Sequence, residues 1–152
     1  MAIIRPTTCS VLFQEPNIKV LLDEYAAECS ITELGSINPQ CSTYDVMEAT
    51  GGLQAFGVYD SVLLIGFAVV LIYTLPHYGK RVATTESIFL SKDHRHGDIG
   101  GRLLLFIESY AKSKGCIAFL YSAPAGSQFD HLLATNVDRY RNTSNVYLRS
   151  LV

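Results

Sequence analysis

The run DHRHGDIGGRLLLFIESYAKSKGC, residues 93–116, carries the residues best suited to holding an anionic ligand. Arg95 is followed by Gly97, Gly100 and Gly101, and Ile99, Leu103, Phe106, Ile107, Tyr110 and Ala111 then recur at helical spacing. The spacing predicts a helix from about Asp98 to Lys114, closed by Gly115. The first N–H groups of a helix have no intrahelical partner, and the helix dipole adds about half a positive charge there. Glycines let a phosphate approach those groups. Asp98 places a negative charge inside this cradle, and two readings follow. In one, the N–H groups of Gly97, Ile99, Gly100 and Gly101 bind phosphate, helped by Arg95 and Arg102. In the other, Asp98 is the helix N-cap, worth roughly 0.5–2 kcal/mol over alanine, and occupies the donors a phosphate needs. His94 and His96 flank Arg95 without a third metal ligand nearby. They read as loop histidines that add positive charge near phosphates at lower pH.

Glu86 is the second chemical candidate. It lies in RVATTESIFLS, an alternating, β-branched stretch that predicts a strand. Alternation puts Glu86 on one face with Val82, Thr84, Ile88 and Leu90. A carboxylate on a partly apolar face holds its proton more tightly than one in water, which suits a general base near neutrality. The competing reading pairs Glu86 with Arg81 or Lys80. His77, in the preceding loop, is a second candidate base.

These residues need a frame. The chain has 152 residues, 49% hydrophobic and 17% charged, which bounds it to one domain, residues 1–152, with a sizeable core. The formal net charge of −2 gives no electrostatic reason to expect nucleic acid or an acidic membrane surface. Cys9, Cys29, Cys41 and Cys116 form neither a C-x-x-C pair nor a zinc cluster, so they read as thiols in a reducing compartment. The N-terminal MAIIRPTTCS lacks the apolar core of a signal peptide, and a cytoplasmic location is expected. Val62–Leu75 is apolar except for Thr74, but it is short of the ~18–20 residues a membrane span needs. It reads as a long central strand, bent at Gly66.

Around it, AIIRP predicts a first strand. NIKVLLDEYAAEC predicts a helix started by Pro16 and Asn17. PQCSTYDVMEATGG predicts a second helix capped by Ser42 or Thr43 and stopped by Gly51 and Gly52. A hairpin joins at Tyr59-Asp60-Ser61, CIAFLYSA is a strand, SQFDHLLAT a short helix and NVYLRSLV a final strand. The order is β-α-α-β-β-β-α-β-α-β, a mixed α/β (α+β) sheet with helices on its faces.

That order, with the strings IIRP, LLIGFAVV and TTESIFLSKDHRHGDIGGRLL, resembles the GNAT superfamily of acyl-CoA-dependent N-acetyltransferases. The resemblance spans nearly the whole chain and is strongest from Leu64 to Gly115. It implies a GNAT-like mixed β-sheet with helices on both faces. It also implies acetyl-CoA as co-substrate and transfer of an acyl group, acetyl foremost, to a primary amine by direct attack in a ternary complex. The family's R/Q-x-x-G-x-G/A loop would hold the coenzyme pyrophosphate at Arg95, His96, Gly97, Asp98, Ile99, Gly100, Gly101 and Arg102. Here the match is R-x-x-D-x-G, with Asp98 on the first glycine position. Such a transfer needs a base, a donor for the oxyanion and, for the leaving thiolate, an acid. Glu86 falls where the family's fourth-strand acidic residue acts. The oxyanion donor falls on the backbone N–H of Leu90, beside Phe89 and Ser91, where the fourth strand bulges and splays from the fifth. The family's tyrosine acid and the asparagine after the fifth strand are missing. His131 and Tyr121, with Tyr140, are the side chains left for the acid role.

The acceptor would be a small-molecule or protein amine, bordered by SITELGSINPQCSTYD and LPHYGKR. The tail YSAPAGSQFDHLL…NVYLRSL resembles small GNAT-like proteins of tailed bacteriophages. That likeness implies the host cytoplasm or the virion as location, and phage structural partners. Homodimers are common in the family. The rival reading of the whole chain is a catalytically degenerate GNAT-fold interaction or head-assembly protein, favoured by Asp98 and the missing tyrosine and asparagine.

Overall fold

The computed structural model describes residues 1–152. Its elements are β1 (Ile3–Thr7), α1 (Cys9–Phe13), α2 (Ile18–Cys29), α3 (Cys41–Ala49), β2 (Leu53–Asp60), β3 (Leu63–Leu75), β4 (Lys80–Leu90), α4 (Ile99–Ser113), β5 (Ala118–Leu120) and α5 (Gln128–Thr135). Short 3-10 turns lie at Thr32–Leu34 and Lys92–His94. One sheet runs β1-β2-β3-β4-β5. Its first four strands are antiparallel, and β5 joins β4 in parallel.

The long apolar segment becomes β3 because both of its faces are covered, and Leu64 to Val70 are buried without a break. On one side, Phe56, Val58, Ile65, Ala68, Val70, Ala83 and Leu90 pack on Leu103, Leu104, Ile107 and Ala111 of α4. On the other, Ala55, Tyr59, Leu64, Phe67, Val69 and Phe89 pack on Cys9, Leu12 and Leu21, with Tyr25, Tyr44 and Met47 against them. No helix is long and apolar enough to cross a membrane. The four cysteines are free, and no three His, Cys, Asp or Glu residues group as a metal site.

Three sequence expectations are corrected. The predicted order lacks α1, whose five residues are too few for periodicity to register and which Thr8 starts by accepting from the Val11 N–H at 3.1 Å. The second predicted helix begins at Cys41 with Gln40 at its cap, so Ser42 and Thr43 lie inside it and cap nothing. NVYLRSLV forms no strand. It extends from the domain with Val146, Tyr147, Leu151 and Val152 at least 87% exposed, because no strand edge of this chain pairs with it.

Gly66 is set by close approach. A Cβ there would lie 2.6 Å from the Phe89 carbonyl oxygen. A bulge in β2–β3 pairing falls beside it, where Val58 pairs Gly66, Tyr59 pairs Leu64 and Ile65 is left over.

Candidate active site

Two irregularities of β4 create an opening in the sheet. In its ladder with β3, Val70 pairs Thr85 and Val69 pairs Ser87, so Glu86 is an extra residue at a bulge. Pairing of β4 with β5 is confined to Val82–Thr84 against Ala118–Leu120, while β4 continues to Leu90. Beyond Thr84 one edge of β4 therefore has no strand partner. The Ser91 N–H donates to the Ile65 oxygen on the β3 side at 2.8 Å. By strand alternation, the N–H groups of Leu90 and Ile88 face the open edge.

The bulge also reverses which face each side chain meets. Before it, Ala83 packs on the α4 side. After it, Ile88 and Leu90 take that side, and Phe89 joins the α1–α3 side. Glu86 was expected on one face with Ile88 and Leu90, and the extra residue at position 86 separates them. Glu86 is exposed, makes no ion pair with Arg81 or Lys80, and accepts from the Tyr44 hydroxyl at 2.9 Å. Burial pushes the Tyr44 phenol up, and the Glu86 charge and hydrogen bond push it further. Tyr44 thus stays a donor at neutral pH and fixes the carboxylate. Tyr25, also pushed up to about 12 by burial, then by Cys29 and Glu86, packs edge-on against Phe67 and Phe89. No local signal announces Tyr44, which reaches Glu86 from α3 across 42 positions of chain.

At the start of α4 the first backbone bond runs from Arg102 N–H to Asp98 O at 2.9 Å. The N–H groups of Ile99, Gly100 and Gly101 have no intrahelical partner. One of the two sequence readings has Asp98 cap them. Its side chain accepts from none, lies 81% exposed, and turns toward Arg102 at 4.0 Å. With φ −103° and ψ 0°, Asp98 is already turned as a helical residue and not as an extended cap. Gly97 has φ +79°, which favours glycine, and nothing lies within 4 Å of a Cβ placed on Gly97, Gly100 or Gly101. Unpartnered donors beside glycines with no side chain to crowd them fit a pyrophosphate, the part of coenzyme A such a helix start would hold. His96 is exposed beside them.

The arginines are committed elsewhere. Arg102 donates to the Ala2 oxygen at 3.0 Å. Arg95 donates from Nε to Leu90 O at 2.7 Å, from Nη2 to Glu28 at 2.8 Å and from Nη1 to Gln128 at 3.3 Å. Partial burial raises the Glu28 pKa, but the bonds and charges of Arg95 and Lys92 outweigh it and hold the carboxyl below its usual range.

The acid candidates sit apart from one another. Tyr121, just past β5, donates to Glu108 of α4 at 2.9 Å and stacks on Phe119. Burial, then the charge and hydrogen bond of Glu108, push its phenol far up. Tyr140 and Arg139 join the same carboxylate and tie the chain after α5 to α4. His131 is exposed on α5, and its imidazole has no hydrogen-bond partner. His77 lies in the β3–β4 turn against Tyr78. A cleft of about 490 Å³ opens beside α2, lined by Phe13, Ile18, Leu22, Ala26, Ile37 and Pro39 among others. The Phe13 ring is 5.9 Å from that of Tyr44, so one side chain separates the cleft from the partner of Glu86.

Comparison with known proteins gives a family and a fold. The model of the acetyltransferase (GNAT) family matches residues 21–129. The fold is similar to that of a ribosomal-protein-alanine N-acetyltransferase from Brucella melitensis biovar Abortus 2308, with 19% identity, TM-score 0.70, and 98% and 99% of the two chains covered. An aminoglycoside acetyltransferase from an uncultured soil metagenomic sample aligns at 10% identity and TM-score 0.73, covering 100% and 99%. Glucosamine-6-phosphate N-acetyltransferase from Arabidopsis thaliana aligns at 13% identity and TM-score 0.72, again over 100% and 99%. No curated protein sequence matches the chain significantly.

Proposed function

The chain belongs to the GNAT family of acetyltransferases, and from that premise we propose that it transfers an acetyl group from acetyl-CoA to a primary amine by direct attack in a ternary complex. One observation carries the reading: the open β4 edge past Thr84 leads to a helix start whose N–H groups are unpartnered and whose glycines are uncrowded. Bound acetyl-CoA supplies an activated thioester carbonyl. The chain's own part is to hold it and to manage a proton. Ile99, Gly100 and Gly101 N–H groups take the pyrophosphate. Ile88 offers its backbone groups to an extended arm, as an added strand would use them. The Leu90 N–H, at the end of that edge, is the oxyanion donor. Glu86, held by Tyr44, takes the proton of the attacking ammonium directly or through water.

Tyr121 is a poor acid in this scheme because its hydroxyl already donates a hydrogen bond to Glu108, and burial beside that carboxylate makes it hold its proton tightly. His131 is the freer candidate. The acceptor, a small-molecule or protein amine, approaches from the α2–α3 side that carries Tyr44 and the cleft. Four free thiols support a reducing, cytoplasmic setting.

A second reading, a GNAT-fold interaction component, is favoured by the exposed apolar segment at Val146–Val152. Titration of acetyl-CoA separates the two. Ligand at about 100 times its Kd stabilises the fold by about 2.7 kcal/mol. No thermal shift at millimolar acetyl-CoA would defeat the enzyme reading and leave the second.

A further inference from the structure

We propose that Arg95 is a positioning residue that fixes the end of β4, and not a ligand of the coenzyme phosphates. The inference rests on the acetyl-transfer reading above. The Leu90–Ser91 peptide is pinned at both ends: its C=O accepts from Arg95 Nε at 2.7 Å, and its N–H donates to Ile65 O at 2.8 Å. This peptide directly follows the Leu90 N–H on the open edge, so holding it sets the direction of that donor.

The guanidinium is held in turn. Nη2 binds Glu28 of α2 and Nη1 binds Gln128 of α5, while the cation lies 5.2 Å from the Phe89 ring centroid. All three nitrogens are engaged, and the side chain is only 22% exposed. α2, β4 and α5 thus meet on one residue. A planar fork can serve three acceptors in fixed directions; an ammonium at the same place cannot reproduce them. Swinging Arg95 to a phosphate would release Leu90 O and strip Glu28 of its closer cation, since Lys92 stands 3.4 Å away.

The test compares wild type with Arg95→Gln, Arg95→Lys and Glu28→Gln. It reads Kd for coenzyme A by calorimetry, kcat and KM for acetyl-CoA, and amide hydrogen exchange at Ser91. In both Arg95 variants kcat falls roughly 10- to 100-fold, as expected when a reacting geometry slips by a fraction of an ångström. The Kd for coenzyme A stays within about two-fold, because uniform binding is untouched. Ser91 exchange accelerates about ten-fold or more against the β2 amides, as local opening becomes easier. Glu28→Gln moves each quantity the same way by a smaller factor. A phosphate ligand gives the opposite split. Arg95→Gln then weakens coenzyme A about ten-fold, Arg95→Lys restores it as a point charge, and Ser91 exchange does not change; that result overturns the inference. If wild type binds no coenzyme A, the acetyl-transfer reading fails on its own. Hydrogen exchange then decides alone: acceleration in Arg95→Gln supports the clamp on Ser91, and unchanged exchange refutes it.

Discussion

Replacing Gly66 by alanine tests the tight contact on which the site's edge depends. A Cβ at this position lies 2.6 Å from Phe89 O, 2.9 Å from Leu90 Cδ1 and 3.2 Å from Leu90 Cα. An unstrained carbon–oxygen contact is about 3.3 Å or longer, so β4 must retreat from β3 by about 0.7 Å. The nearest atom is backbone and cannot rotate away. Overpacking of this kind costs about 1–3 kcal/mol, and the upper part of that range applies. Alanine restricts the unfolded chain and returns about 0.4–1 kcal/mol. The net loss is about 1–2.5 kcal/mol, or roughly 2–10 °C in Tm for a chain of this size. Because the displaced atoms belong to Phe89 and Leu90, turnover should fall beyond what the lost stability explains. Urea unfolding with an unchanged m-value and acetyl-CoA kinetics well below Tm measure both. Stability within about 0.5 kcal/mol of wild type, together with intact turnover, would refute the argument.

Glu86→Gln should leave Tm nearly unchanged, since the side chain is exposed, and lower kcat about 10²–10⁴-fold as expected for loss of a general base; a full-rate variant with an unaltered pH profile removes Glu86 from the mechanism. Asp98→Asn should change stability by no more than about 0.5 kcal/mol, because no cap bond is lost, and tighten coenzyme A binding a few-fold by removing a like charge near the phosphates. A loss of 1 kcal/mol or more, of the order a true cap supplies, would mean that Asp98 caps the helix in solution. Glu28 has its folded pKa below the ordinary 4.5, so its contribution is complete above that value and disappears as pH falls through the lower, folded one. The stability gap between wild type and Glu28→Gln should therefore be widest near neutrality and shrink in acid. A gap that stays constant between about pH 6 and about pH 3 contradicts that account.

The elements with strong period were legible in the sequence. The α4 stripe shows in Leu103, Ile107 and Ala111, which are buried, and its end shows in Gly115 at φ +81°. The two-sided burial of β3 shows in its unbroken run of apolar residues. What was hidden depends on contacts between distant elements. Alternation carried through TTESIF assigns Ile88 and Leu90 to the wrong side, because a single extra residue shifts the phase and no residue type at 86 announces it. Arg95 looks free in the sequence and is occupied in the fold, since Glu28 and Gln128 come from helices far along the chain. Asp98 is a preferred capping residue by type, but its helical backbone angles deny it the geometry. NVYLRSLV has the composition of a strand, and composition does not supply a neighbour to pair with.

The bulge at Glu86 ties the length of β4 to its chemistry. Substituting Glu86 changes one exposed side chain. Deleting it restores a straight ladder and exchanges the sides on which Phe89 and Leu90 are packed, exposing each to the wrong half of the core. The position is therefore tolerant of replacement and intolerant of removal. A relative that has given up catalysis can vary the residue at 86, but as long as it keeps this core it must keep a residue there.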